Sequence, residues 1–265
     1  ASLNVPLFIL VGSILLFTGV MASRLASRFG VPALLLFLVI GMVAGSEGVG
    51  GIPFDDPVVA MLVGFTALGL ILFDGGLRTD VQKMDRSIVR SGVLLATLGV
   101  VITAAVVGVV AVVALGVPLE RGLLIGAILS STDAAAVFAV LRARGVGVPQ
   151  RLRSLIEFES ASNDPTAVFL TATMVAVIAG TAGHLAALPV LYVVRLVAGG
   201  AIGWLAGWLL LRMINRAELE HEGLYPALTL AVVGITFGVA ELLSTSGFMA
   251  VYVAGLMLAG KVFVH

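Results

Sequence analysis

The sequence predicts an all-α, polytopic membrane protein. Three observations carry this. Of 265 residues, 60% are hydrophobic and 11% charged, with a mean hydropathy of +1.18, far above the apolar share of a soluble domain. The apolar residues fall in stretches long enough for a bilayer core of about 30 Å, which needs roughly 20 residues per helix. Basic residues recur after every second stretch, the pattern of loops retained on one face of a membrane.

Nine spans are predicted, near residues 4–22, 31–46, 58–77, 88–115, 121–141, 154–180, 188–211, 223–243 and 247–264. The first has no basic n-region, so "ASLNVPLFILVG" reads as a span and not as a cleaved signal peptide. The breaks carry turn chemistry or charge: "RFGVP", "GSEGVGGIPFDDP", "GVPLER", "RARGVGVPQRLR", "INRAELEHEG" and "STSG". Thirty-two glycines are dispersed through the apolar segments, which suits close helix packing in lipid. In the seventh span Gly199, Gly203 and Gly207 recur every four residues, a packing face for the core or for a dimer.

The net charge is zero and is silent on acidic or nucleic-acid partners, so the distribution of charge is the useful quantity. Arg24 and Arg28, Arg78, Lys83, Arg86 and Arg90, Arg142, Arg144, Arg151 and Arg153, Arg212 and Arg216, and Lys261 all fall after odd-numbered spans. Only Arg121 lies opposite, and Arg195 lies within a span. The predicted amino terminus is outside, the basic loops are cytoplasmic, and the location is the inner (plasma) membrane of the cell.

Span two carries "FLVIGMVAG" and span nine "YVAGLMLAG", each the second helix of a pair. The copies are offset by seven spans, so they start on opposite sides, the arrangement of an inverted repeat. The division expected is a first six-helix repeat over 1–180, with core helices about 121–180 and 88–115, a connecting helix at 188–211, and the start of a second repeat at 223–265. A second repeat of that size is incomplete here, and the chain is expected to be part of a longer transporter.

Spans five and six concentrate the polar chemistry. "GLLIGAILSSTDAAAVFAVL" sets Ser130, Ser131, Thr132 and Asp133 at its centre, and "LIEFESASNDPTAVFLTATMVAVIAG" carries Glu157, Glu159, Ser160, Asn163, Asp164 and Pro165. An ionised carboxylate at the midplane costs at least a few kcal/mol, so such groups need a partner, a proton or an ion. At 100° per residue Ser160 and Asp164 share a face with Glu157 one turn earlier, while Glu159 pairs with Asn163 about 140° away from Asp164. The two acids are thus expected to have different duties. Pro165 cannot donate to the Ala161 carbonyl and frees that oxygen.

Carboxylate, hydroxyl and carbonyl oxygens suit hard monovalent cations, whereas His or Cys would suit softer metals. Burial disfavours a charged carboxyl, so proton and cation can compete for one group, which is the physical minimum for antiport. Asp133 reads either as a ligand or as a counter-charge at a helix break. Thr132 and Ser160 either coordinate or bond helix carbonyls. Glu159 is a structural ion-pair member or a ligand, Asn163 a hydrogen-bonding support. Asp74 in "LFDGGLRTD" lines a cation path or pairs with Arg78, and Glu157 is a funnel residue or pairs with Arg153. Glu241 is interfacial, and a pH-sensing role for His184, His221 or His265 has no support. The absence of cysteine removes thiol and disulfide chemistry. "GVGVP" and "GVGGIP" follow no strand and do not read as dinucleotide sites. No enzyme triad is visible.

At these residues the sequence resembles the monovalent cation:proton antiporters of the NhaP and NHE superfamily, most closely the bacterial CvrA-like potassium/proton branch. The matching pieces are "ASRLASRFGVPALLLFLVIGMVAG", "GLILFDGGLRT", "GAILSSTDAAAVFAVLR", "IEFESASNDPTAVFLT" and "EHEGLYPALTLAVVGITFGVAELL". The resemblance implies a thirteen-helix fold of two inverted repeats, a dimerisation domain and a mobile core with crossed, broken helices. It implies that Asp164 binds cation and proton, that Thr132 and Asp133 stand at the crossing point, that Ser160 is a hydroxyl ligand and that Asp74 stands where relatives have an acid in the third span. Sodium or potassium would then meet Asp164, Asp133, Ser160 and Thr132. Asn163, where electrogenic relatives have a second Asp, implies electroneutral exchange. Glu159 matches an acid that pairs with an arginine of a late helix, and cytoplasmic regulatory domains accompany the branch; neither the arginine nor these domains is in this chain.

The function expected is secondary transport, exchanging K+ or Na+ for H+ by alternating access, without enzymatic activity or a cofactor beyond the transported ions. The expected partners are the lipid bilayer, monovalent cations and a second copy of the chain in a homodimer. The rival readings are a passive cation channel, which would dissipate a gradient without proton coupling, and a non-transporting scaffold whose acids only specify packing. Within the family, Na+/H+ exchange is the alternative to K+/H+ exchange.

Overall fold

The computed structural model describes residues 5–29, 33–52, 54, 56–79, 81, 84–183, 187–216 and 224–260. His184, His221, His265, Lys83 and Lys261 lie outside them. The described residues are helical, with no strand among them: α1 (Val5–Phe29), α2 (Ala33–Ala44), α3 (Pro57–Arg78), α4 (Arg86–Leu94), α5 (Val100–Leu115), α6 (Leu119–Ile128), α7 (Ala134–Ala143), α8 (Gln150–Ile178), α9 (Leu188–Arg216), α10 (Leu224–Leu242) and α11 (Gly247–Leu258). Pro57–Arg78, Arg86–Leu115 and Leu188–Arg216 are each long and apolar enough to cross a membrane.

Two departures from the expected spans matter. The span expected at 121–141 is two half-helices, α6 and α7, separated by a non-helical stretch at 129–133. The helix over 86–115 carries a π-helical turn at Leu95–Gly99, joining α4 to α5. Such widened turns redirect a carbonyl that a regular helix would use itself. In addition, α1 continues to Phe29 rather than closing near residue 22, since "ASRLASRF" is built of adequate helix formers.

Two compact units divide the chain: Ala1–Leu62 with Asp133–Pro149, and Val63–Thr132 with Gln150–His265. In the first, α1 packs on α2, and the Phe37 ring stands 3.7 Å from where a Cβ on Gly19 would be. Asp56 caps the start of α3, its Oδ1 accepting from Val58 N at 2.9 Å and Val59 N at 3.3 Å, with Pro57 at the first helical position.

In the second unit, backbone meets backbone through small residues, the economical way to hold helices together in lipid. A Cβ on Gly126 would strike the Ala104 carbonyl, locking α6 on α5. Cβ atoms on Gly199, Gly203 and Gly207 would strike the backbones of Ser246, Ala250 and Ala254, locking α9 on α11. The four-residue glycine stripe of α9 therefore packs inside this chain. Around the crossing lies a core of Leu72, Phe73, Leu210, Val251, Tyr252 and Leu258. Large apolar side chains elsewhere point outward, Val113 being 81% and Val197 68% exposed, as expected where the solvent is hydrocarbon. The helix α8 differs: its middle is polar and its Asn163 is fully buried.

Candidate functional site

The break after α6 and the middle of α8 face each other within the second unit. Unwinding at 129–133 leaves peptide groups without helical partners, and a membrane interior offers no water to take them. The neighbouring helix supplies replacements. Ser160 Oγ donates to the Thr132 carbonyl at 2.9 Å. Asn163 Nδ2 donates to Thr132 Oγ1 at 2.7 Å and to Glu159 Oε1 at 3.1 Å, and Thr132 Oγ1 donates to Glu159 Oε2 at 2.9 Å. These three bonds close a ring of amide, hydroxyl and carboxylate. On the other side of the amide, Ser131 Oγ lies 2.9 Å from Asn163 Oδ1 and 2.5 Å from Asp164 Oδ1.

The structure thus brings Asp164, Glu159, Asn163, Ser160 and Thr132 together. It also corrects the angular reading of α8. Glu159 and Asp164 do diverge by about 140°, but consecutive hydroxyls of the break fork, Ser131 to Asp164 and Thr132 to Glu159, so that both acids meet the same segment. Among the described residues, the hydrogen-bond donors to Glu159 are neutral. The cluster thus brings hydroxyl and amide donors of the break and of α8 to both carboxylates.

Asp133 has a local duty in the first unit. It is the N-cap of α7, its Oδ1 accepting from Ala135 N at 2.8 Å, and its Oδ2 is buried without a hydrogen-bond partner among the described residues. Pro165 is buried inside α8, which continues through it. Asp74 pairs with Arg78 at 2.7 Å on an exposed edge, and Glu157 pairs with Arg153 at 2.9 Å, also largely exposed; these are the i, i+4 pairs that their spacing allowed. Glu241 Oε1 accepts from Gly247 N at 2.9 Å at the corner between α10 and α11.

Three polar residues of this region were not assigned from sequence. Ser131 was visible within the "SSTD" cluster but carried no distinguishing spacing. Ser162 donates to the Tyr252 hydroxyl at 3.0 Å, and Thr166, buried, donates to the Ala96 carbonyl in the π turn at 2.7 Å while meeting the Tyr192 hydroxyl at 2.7 Å. Their i, i+4 spacing was the available signal. Among the described residues no three His, Cys, Asp or Glu side chains gather in a metal-binding group, so the oxygens on offer are carboxylate, hydroxyl and amide.

Fold and site together define a helical membrane protein in which a discontinuous helix presents hydroxyls to two carboxylates on a continuous neighbour. The profile of the family described as "Sodium/hydrogen exchanger, transmembrane" matches residues 12–265, and the chain belongs to that family. It is 42% identical over 251 residues to the K(+)/H(+) antiporter NhaP of Alkalimonas amylolytica, covering 95% of this chain and 43% of that protein. It is 41% identical over 256 residues to the K(+)/H(+) antiporter NhaP2 of Shewanella oneidensis, covering 96% and 44%. The chain thus spans less than half the length of these curated relatives. Among solved structures it resembles the sodium proton antiporter MjNhaP1 of Methanocaldococcus jannaschii at pH 8, with a TM-score of 0.76 and 24% identity over 95% of this chain and 62% of that one. That likeness establishes the fold, an all-α inverted-repeat antiporter architecture with a broken helix.

Proposed function

We propose that the protein exchanges K+ for H+ across the membrane by alternating access, with Asp164 binding cation and proton in turn. The observation that carries this is the fork at the break: two carboxylates five residues apart on α8, met by the consecutive hydroxyls of Ser131 and Thr132. Names of the curated relatives support potassium. Sodium is the second reading, favoured by the solved sodium proton antiporter of the same fold.

The physical chain is short. Asp164 carrying a proton and Asp164 carrying a monovalent cation are both neutral, so either can cross the apolar interior cheaply. The bare carboxylate is charged and pays several kcal/mol. Only loaded forms cross, which couples the two fluxes, and Asn163, which does not titrate, keeps the exchange electroneutral. Ser160 through its hydroxyl and Thr132 through its backbone carbonyl contribute oxygen ligands, Glu159 holds the break through the Thr132 hydroxyl, and Pro165 relieves the Ala161 carbonyl of a helical partner. Asp133 enters as the cap that keeps α7 separate from α6, with its charge at the helix N-terminus. Asp74 and Glu157, with their arginine partners, line the cytoplasmic approach.

In this reading residues 1–180 form a first repeat, 188–211 a connector and 223–265 the start of a second. The basic loops face the cytoplasm of a cell whose inner membrane holds the protein as a homodimer, and no cofactor or chemical step is involved. Ion-driven proton flux in vesicles containing the complete natural chain tests it. Asp164→Asn is expected to abolish the flux with folding preserved; undiminished flux would sink the mechanism.

A further inference from the structure

Ser162 and Thr166 form a hydroxyl stripe on α8 that is bonded throughout. From Asp164, Ser162 lies two residues back and Thr166 two residues on, each about 200° around the helix. The two hydroxyls are therefore on the face opposite the carboxylate. Thr166 has a single proton, and the buried Ala96 carbonyl at 2.7 Å takes it. At 2.7 Å the Tyr192 hydroxyl must then be the donor to Thr166 Oγ1. Ser162 donates in turn to the Tyr252 hydroxyl at 3.0 Å. The Tyr192 ring also packs on Phe169, one turn further along α8, with centroids 5.0 Å apart.

The two tyrosines belong to α9 and α11, the pair that interlocks through Gly199, Gly203 and Gly207. The pair is further joined to α3, because Cβ atoms on Gly76 and Gly255 would strike the backbones of Tyr252 and Phe73. On the other side, α8 is seated on α4, the π turn and α6, with Phe158 filling the space beside Gly92. Between the α3, α9 and α11 group and α8 the contacts include apolar packing, Ala161 and Val168 against the core of that group, and a small-residue approach, Gly75 to Ala161, where a Cβ would stand 3.6 Å from its neighbour. Two phenols are thus polar ties between this helix group and the face of α8 opposite Asp164.

We infer that Tyr192 and Tyr252 are positioning residues for exchange, fixing the rotation of α8 so that Asp164 meets the hydroxyl of Ser131. This rests on the exchange reading above. Loss of either phenol hydroxyl leaves the ring in place and removes one tie. The ligand geometry at the break loosens, so cation binding weakens while the chemistry of the carboxylate is unchanged.

The test uses Tyr192→Phe, Tyr252→Phe and the double variant in the complete natural chain, reconstituted in vesicles and normalised to folded protein. Half-saturating K+ is expected to rise about threefold to tenfold per variant, the range of one net hydrogen bond, with the maximal rate of proton flux within twofold of the unsubstituted chain. A second readout needs no transport. Gly75→Cys with Ala161→Cys places two Cβ atoms at disulfide separation, and oxidative cross-linking should slow by a similar factor when the phenol hydroxyls are removed. Unchanged half-saturation together with unchanged cross-linking overturns the inference, as does a fall in the amount of folded protein alone. Absence of coupled flux in the unsubstituted chain overturns the exchange reading instead, and the cross-linking rates then decide the inference on their own.

Discussion

The hydroxyl of Ser131 donates to Asp164 across 33 residues of sequence, at 2.5 Å. Its neighbour Thr132 donates to Glu159 at 2.9 Å, so adjacent hydroxyls serve different acids and can be removed one at a time. A hydrogen bond to a charged partner is worth about 1.5–3 kcal/mol. Ser131→Ala should therefore raise the half-saturating cation concentration at least about tenfold. Thr132→Val keeps the shape and opens the ring of Thr132, Asn163 and Glu159, so its main effect should be on stability, read as a lower melting temperature in detergent. The reverse assignment, with Thr132→Val hitting affinity and Ser131→Ala stability, would contradict the fork.

Asp133 separates capping from coordination. Asn caps a helix about as well as Asp, whereas Ala costs about 1 kcal/mol. If the role of Asp133 is the bond to Ala135 N, Asp133→Asn should retain the melting temperature and Asp133→Ala should lower it. Equal loss of stability in both would show that its charge, not its hydrogen bond, is what α7 needs.

The glycines make a paired prediction. Gly203→Ala drives a methyl group into the Ala250 backbone, and neither helix can yield without parting α9 from α11. It should lower the unfolding free energy by about 1–3 kcal/mol, as overpacking does. Gly234→Ala in α10 meets nothing within 4 Å, and there the gain in helix propensity, about 0.5–1 kcal/mol, should stabilise. Thermal unfolding in detergent reads both signs.

Much of this architecture is legible in the sequence because lipid imposes few solutions. Length and hydropathy place the helices, and polar residues inside apolar stretches stand out by their cost, which is how "SSTD" and "ESASNDPT" can be picked out. The break between α6 and α7 is harder to see, since hydropathy continues across it; only the capping residue Asp133 after two serines and a threonine marks it. The π turn is invisible, because "LATLG" is ordinary helical sequence and the Thr166 hydroxyl that meets its Ala96 carbonyl lies 70 residues away. The forked hydroxyls and the tyrosines share that difficulty. A helical wheel states which residues of α8 share a face, and it is silent on which helix that face meets.

If Asp164 takes either a proton or a cation, the two must compete. Protonation at low pH removes the cation site, so half-saturating K+ should rise as pH falls, approaching about tenfold per pH unit below the pKa of the site, with the maximal rate restored by saturating K+. The decisive measurement is half-saturating K+ for proton flux across a series of pH values, in vesicles bearing the complete natural chain. A competitive, pH-dependent shift is the predicted result; a half-saturating concentration independent of pH would contradict a shared carboxylate.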